Sequence, residues 1–91
     1  AVKHATAAAL DRLAPLLAEI RALPELVEKS RGVFYRRSKA HLHFHEDAAG
    51  LFADVRSASG EFDRYRVETE EERATFLAEL TAPANAGPSR R

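Results

Sequence analysis

The sequence predicts an α+β fold: a two-layer sandwich with an N-terminal helix, an antiparallel meander of three to four strands and a C-terminal helix. Three observations predict it. Residues 6–23 carry apolar side chains at helical spacing, residues 33–67 break into short runs of two-residue alternation, and residues 69–81 return to a helical pattern behind a capping signal. Connections between the alternating runs are too short for parallel crossovers, so the sheet is expected to be antiparallel. Two amphipathic helices cover one face of such a sheet and leave the other open.

In the first helix, Leu10, Leu13, Leu17 and Ile20 form the stripe, widened by Leu16 and Leu23. Pro15 lies inside it and removes a backbone hydrogen bond. Because the stripe keeps its phase across the proline, one kinked helix is expected, ended by Pro24. Residues 1–5 read as a loose start, which places His4 at the surface. Residues 25–31 read as a connector, with a short strand conceivable at Leu26–Glu28.

Gly32 opens the β region, and Val33–Arg37 is β-branched and aromatic. A tight turn is placed at Ser38-Lys39. From Ala40 to His45 the alternation is strict, with Ala40, Leu42 and Phe44 on one face and His41, His43 and His45 on the other. Leu51–Arg56 alternates again, Ser57–Gly60 reads as a turn, and Phe62–Val67 forms the last strand. Thr69 with Glu72 fits a capping box for the second helix, whose stripe is Ala74, Leu77 and Leu80 beside Phe76. Pro83 ends that helix. Residues 82–91, APANAGPSRR, read as a flexible, Pro/Gly-rich basic tail, so the single domain is assigned to residues 1–81.

Composition narrows the function classes. The 91 residues have formal net charge zero, no cysteine and 45% hydrophobic content. The absence of cysteine excludes thiol nucleophiles, disulfides and cysteine-based zinc sites. It also favours a cytoplasmic home, since small secreted domains lean on disulfides. No apolar run is long enough to cross a membrane. Zero net charge argues against nucleic acid as a whole-chain affinity, although the charge is unevenly distributed. Residues 29–45 carry Lys29, Arg31, Arg36, Arg37 and Lys39 with no acid, while residues 46–63 carry Glu46, Asp47, Asp54, Glu61 and Asp63 against Arg56 alone.

The histidine strand carries the candidate chemistry. Side chains at i, i+2 and i+4 project from one face about 6.5 Å apart, so the outer pair is separated by about 13 Å. One ion can therefore be shared by neighbours but not by all three histidines. Keeping the apolar residues of this strand and the next on the core face requires paired residue numbers to sum to an odd number. If His45 pairs with Phe52, then His43 faces Asp54 and His41 faces Arg56; if His43 pairs with Phe52, then His41 faces Asp54. Either way Asp54 shares the open face with a histidine. The candidate metal ligands are His43 and Asp54 with His41 or His45, for a divalent ion; no other cofactor is indicated.

A second candidate is nucleic acid, through Arg36, Arg37, Arg64 and Arg66 interleaved with aromatics. The third is self-association into a homodimer across the open face, carrying Phe52 and Phe62, or along an edge strand. No serine sits in a nucleophile elbow and no glycine cluster cradles phosphate, so an enzyme is not the expectation. The favoured reading is a small binding module using the open face.

Leu23-Pro24-Glu25-Leu26-Val27-Glu28, Gly32-Val33-Phe34, Lys39-Ala40-His41-Leu42 and Gly50-Leu51 together resemble the opening of the MmcQ/YjbR-like family. The likeness spans roughly residues 10–67. Glu25 stands where that family has glycine, Ser38 where a Gly-rich turn is common, and the family's longer C-terminal part is missing. The core Phe34-Tyr35-Arg36-Arg37 through His43-Phe44-His45-Glu46-Asp47 also looks like an uncharacterised group of short proteins from high-GC bacteria. The resemblance implies the helix–sheet–helix order and a suspicion of DNA binding, with no catalytic residues.

Overall fold

A computed structural model describes residues 3–82. The elements run β1 (Lys3–His4), α1 (Ala7–Arg12), α2 (Ala14–Arg21), β2 (Val27–Ser30), β3 (Val33–Arg36), β4 (Lys39–Asp47), β5 (Gly50–Arg56), β6 (Phe62–Arg66) and α3 (Glu70–Thr81). The fold is α+β with an antiparallel open sheet in the order β2-β3-β4-β5-β6. The tail expected at residues 82–91 lies, beyond Ala82, outside the described residues.

The sheet is wider than the meander expected from sequence. The connector supplies β2, which overlaps the short strand considered at Leu26–Glu28 and pairs with β3 through Val27–Tyr35 and Glu28–Phe34. The start of the chain supplies β1, which pairs with β4 through Lys3–Glu46 and His4–His45. Two-residue alternation cannot be read from segments of four and two residues, and only tertiary pairing makes them strands. The N-terminal helix also differs from expectation. It is two helices, because Leu13 leaves helical geometry at the junction and Pro15 then occupies the first turn of α2, where its missing N–H costs nothing. The stripe stays in phase across the break, so Leu10, Leu13, Leu16, Leu17 and Ile20 are all buried.

These side chains pack on Phe34, Leu42, Phe44, Leu51 and Ala53 of the sheet, with Val67 and Phe76 closing the other end. Every helix lies against this one face. α3 begins with the expected capping box, Thr69 accepting from the Glu72 amide while Glu72 accepts from the Thr69 amide. Phe76 is its buried anchor, against Tyr65 at 5.4 Å between ring centroids, while Ala74 is exposed.

Two turns fix the strand geometry. Arg37 and Ser38 both adopt positive φ (54° and 71°), the conformation of a two-residue type I′ hairpin loop, one residue earlier than the expected turn. Gly32, with φ of 80°, ends the β2–β3 turn beneath α1. A Cβ there would lie 2.8 Å from the Leu10 Cδ2. Gly32→Ala is therefore expected to destabilise the fold by about 1–3 kcal/mol, chiefly from the left-handed backbone it imposes on alanine. A urea midpoint unchanged from wild type would contradict this placement.

Candidate functional site

The β4–β5 ladder has the first of the two registers open to the sequence. Leu42 pairs with Val55, His43 with Asp54, Phe44 with Ala53 and His45 with Phe52. With Phe44 and Ala53 in the core, His43, His45, Phe52 and Asp54 face away from the helices. On the next strand, Arg64 stands opposite Asp54 and Phe62 opposite Arg56.

His41 does not join them. Between β3 and β4 the register shifts by one: Phe34 pairs with Leu42, but Tyr35 pairs with Ala40. His41 is the extra residue, a β-bulge that turns it through the sheet. Its side chain lines a small cavity with Val55, Tyr65, Phe76 and Leu80, all on the helix side. The same histidine borders a larger cleft of about 610 Å³ with Leu23, Leu26, Arg36 and Leu80. Strict alternation placed His41 on the open face, and the bulge overrides it. Alternation cannot register an inserted residue when both neighbours, Ala40 and Leu42, are apolar. The same bulge accounts for Arg56, whose Nε donates to the Ala40 carbonyl at 2.7 Å beyond the last β4–β5 pair. Its guanidinium then covers the Phe62 ring, 4.7 Å from the centroid.

His4 takes the place expected of His41. Held opposite His45 by β1, its ring stacks parallel to His43 at 6.0 Å and meets His45 edge-on at 5.3 Å. His43 and His45 are 4.8 Å apart, and Phe62 lies 4.9 Å from His43. His4 is exposed, as the sequence suggested, yet belongs to the cluster. No local pattern announces it, because its position depends on a pairing 41 residues away in sequence.

Beneath the rings lies Asp54, the sole buried charged residue among those described, at 7% exposure. Arg64 grips it with both arms of its fork, Nε to Oδ1 at 2.8 Å and Nη2 to Oδ2 at 2.9 Å. His45 Nε2 is 3.0 Å from Oδ2 but off the line of a ring N–H. Among the described residues, both ring nitrogens of His45 and Nδ1 of His43 are buried without a hydrogen-bond partner. Buried polar atoms are nearly always paired, so three such nitrogens in one place are unusual.

The four arginines considered for nucleic acid are not brought together. Arg36 and Arg37 lie at the β3–β4 turn, whereas Arg64 and Arg66 lie on β6, three strands away. Arg64 is occupied by Asp54, and Arg66 by Glu72 and the Ala49 carbonyl. No helix among the described residues is long and apolar enough to cross a membrane.

No family model matches the chain, nor does any curated protein or solved structure.

Burial and charge shift the titration of His41, His43 and Asp54. Burial holds His41 below the ordinary imidazole value of 6.5, and the charges of Arg36 and Arg56 add to the effect. His43 is lowered first by burial, then by His45, with Asp54 in partial opposition. For Asp54, burial pushes the carboxyl upward, but the Arg64 hydrogen bonds and the charges of His45, Arg64 and His43 together carry it below 3.8. Imidazoles with depressed folded values stay neutral while the unfolded chain takes up protons, so stability falls as pH drops through 6.5 toward the folded values. The Asp54 contribution is present above 3.8 and is lost as pH falls through its lower folded value. The urea midpoint of the metal-free chain is therefore expected to be level from about pH 9 to about 7.5 and to decline between about pH 7 and 5. His43→Gln should flatten part of that decline, and a wild-type midpoint constant down to about pH 5 would contradict the burial of these rings.

Proposed function

We propose that the chain is a small non-enzymatic binding module whose uncovered sheet face seats a second copy of the same chain. One observation carries this reading. Among the described residues, the large apolar side chains left exposed are Val27 and Phe62. Both belong to the face away from the helices, at its opposite edges: Val27 pairs with Tyr35, which alternates with buried Phe34, and Phe62 contacts His43. Between them lie the half-buried rings of Tyr35, His43, His45 and Phe52. An apolar band of this kind, bordered by charge, is the composition of an interface.

A second copy suits the band for two reasons. The chain has zero formal net charge, so two copies approach without net repulsion. A domain this small, with a sheet covered on one side, gains burial from such pairing. Nucleic acid fits less well, because Arg64 and Arg66 already hold internal acceptors.

Sedimentation should find a dimer at micromolar concentration. The double variant Val27→Lys, Phe62→Glu should be monomeric and folded; Val27→Lys should change the stability of the monomer by no more than about 0.5 kcal/mol, whereas Phe62→Glu also loses the ring contacts to His43 and Arg56. A wild-type chain that stays monomeric at about 100 µM would overturn the self-association reading.

A further inference from the structure

Of the three unpartnered nitrogens on the open face, one on each of His43 and His45 can turn a lone pair to an electrophile. His43, His45 and Asp54 can each offer one ligand atom with all three atoms within 4.8 Å of one another. In a tetrahedral shell with metal–nitrogen bonds of about 2.0 Å, donor atoms are separated by about 3.3 Å, so small side-chain rotations close the set. The ring positions provide an independent check. An imidazole bound at that length places its centroid about 3.2 Å from the ion, and two such rings at tetrahedral angles lie about 5.2 Å apart. The observed spacings, 4.8 Å for His43–His45 and 5.3 Å for His4–His45, bracket that value, and His4–His43 at 6.0 Å is the widest.

We propose that His43, His45 and Asp54, completed by His4 from β1, bind one divalent transition-metal ion of the zinc type on the open sheet face. The proposal deepens the reading of that face as the working surface by naming a ligand for it. Imidazole donors with one carboxylate suit Zn²⁺ and its borderline neighbours, whereas Mg²⁺ and Ca²⁺ require oxygen shells. Burial favours the site, since ligand atoms shielded from water have little hydration to lose.

Arg64 acts in two directions. Its fork fixes the carboxylate, as hydrogen-bonded partners of metal-binding carboxylates do, and its positive charge opposes the ion. Each carboxylate oxygen has two acceptor directions. Oδ2 therefore keeps one toward Arg64 and turns the other toward His45, where the ion would sit. His41 is outside the set, because the bulge places it across the sheet. The chain thus contains its own control.

The test is calorimetric titration of the untagged 91-residue chain with Zn²⁺, run beside sedimentation of the same samples. One Zn²⁺ per chain is expected, with affinity reduced at least tenfold in His45→Ala and in Asp54→Asn, because even outer partners of a ligand contribute ten- to a hundredfold. His41→Ala should bind within about twofold of wild type. Asp54→Asn keeps the shape and one of the two hydrogen bonds from Arg64, so it remains informative if an alanine variant loses its fold. The metal proposal is overturned by no saturable Zn²⁺ binding, by wild-type affinity in both His45→Ala and Asp54→Asn, or by displacement of Zn²⁺ with millimolar Mg²⁺. Zinc binding by a chain that sediments as a monomer would uphold this site while removing the dimer reading. A dimer without zinc binding would do the reverse.

Discussion

The pairing of β4 with β5 is the constraint on which the rest of the molecule depends. Side chains on paired strands alternate with period two, so a register that buries Phe44 and Ala53 necessarily turns His43, His45, Phe52 and Asp54 away from the helices. A slip of one residue would bury imidazoles and an aspartate against leucines, with no partner for the charge. The core therefore enforces the composition of the opposite face. Asp54 tolerates its position because Arg64, its cross-strand partner, is within reach of both carboxylate oxygens. The ion pair is a consequence of the register, and the histidine cluster is assembled above it.

Departures from regular pairing are as informative as the ladder. The bulge at His41 removes one histidine from the open face and gives it to the cleft beside α3. β1 then restores a third ring by laying His4 against His45. The sequence shows three histidines in one strand, and the fold makes a cluster of three from a different set. The separate histidine across the sheet is the consequence of one inserted residue.

Much of this was legible from residue order. The two-residue alternation of Leu42–His45 and Leu51–Arg56 marked the strands, the short connections their antiparallel pairing, and parity put a histidine opposite Asp54, with the choice between His43 and His41 left to the register. Thr69 and Glu72 located the start of α3 because a capping box is a local hydrogen-bond pattern. What escaped was decided by distant contacts. β1 is too short to show periodicity, β2 was legible only as a short strand at Leu26–Glu28 within a connector, and the helix break at Leu13 and the bulge at His41 sit among apolar neighbours that look the same with or without them. The match of Arg64 to Asp54 required the β5–β6 register, which the turn at Ser57–Gly60 sets and no pattern in Phe62–Arg66 reveals.

Nuclear Overhauser contacts of the histidine rings in the metal-free chain test the division of the β4 histidines most directly. The His41 ring should show contacts to Phe76 and Leu80, while the His43 ring shows contacts to Phe62 and to His4. Contacts from His41 to Phe62 or His43, with none to α3, would mean that the strand alternates without a bulge and that the cluster described here is not the one the chain forms.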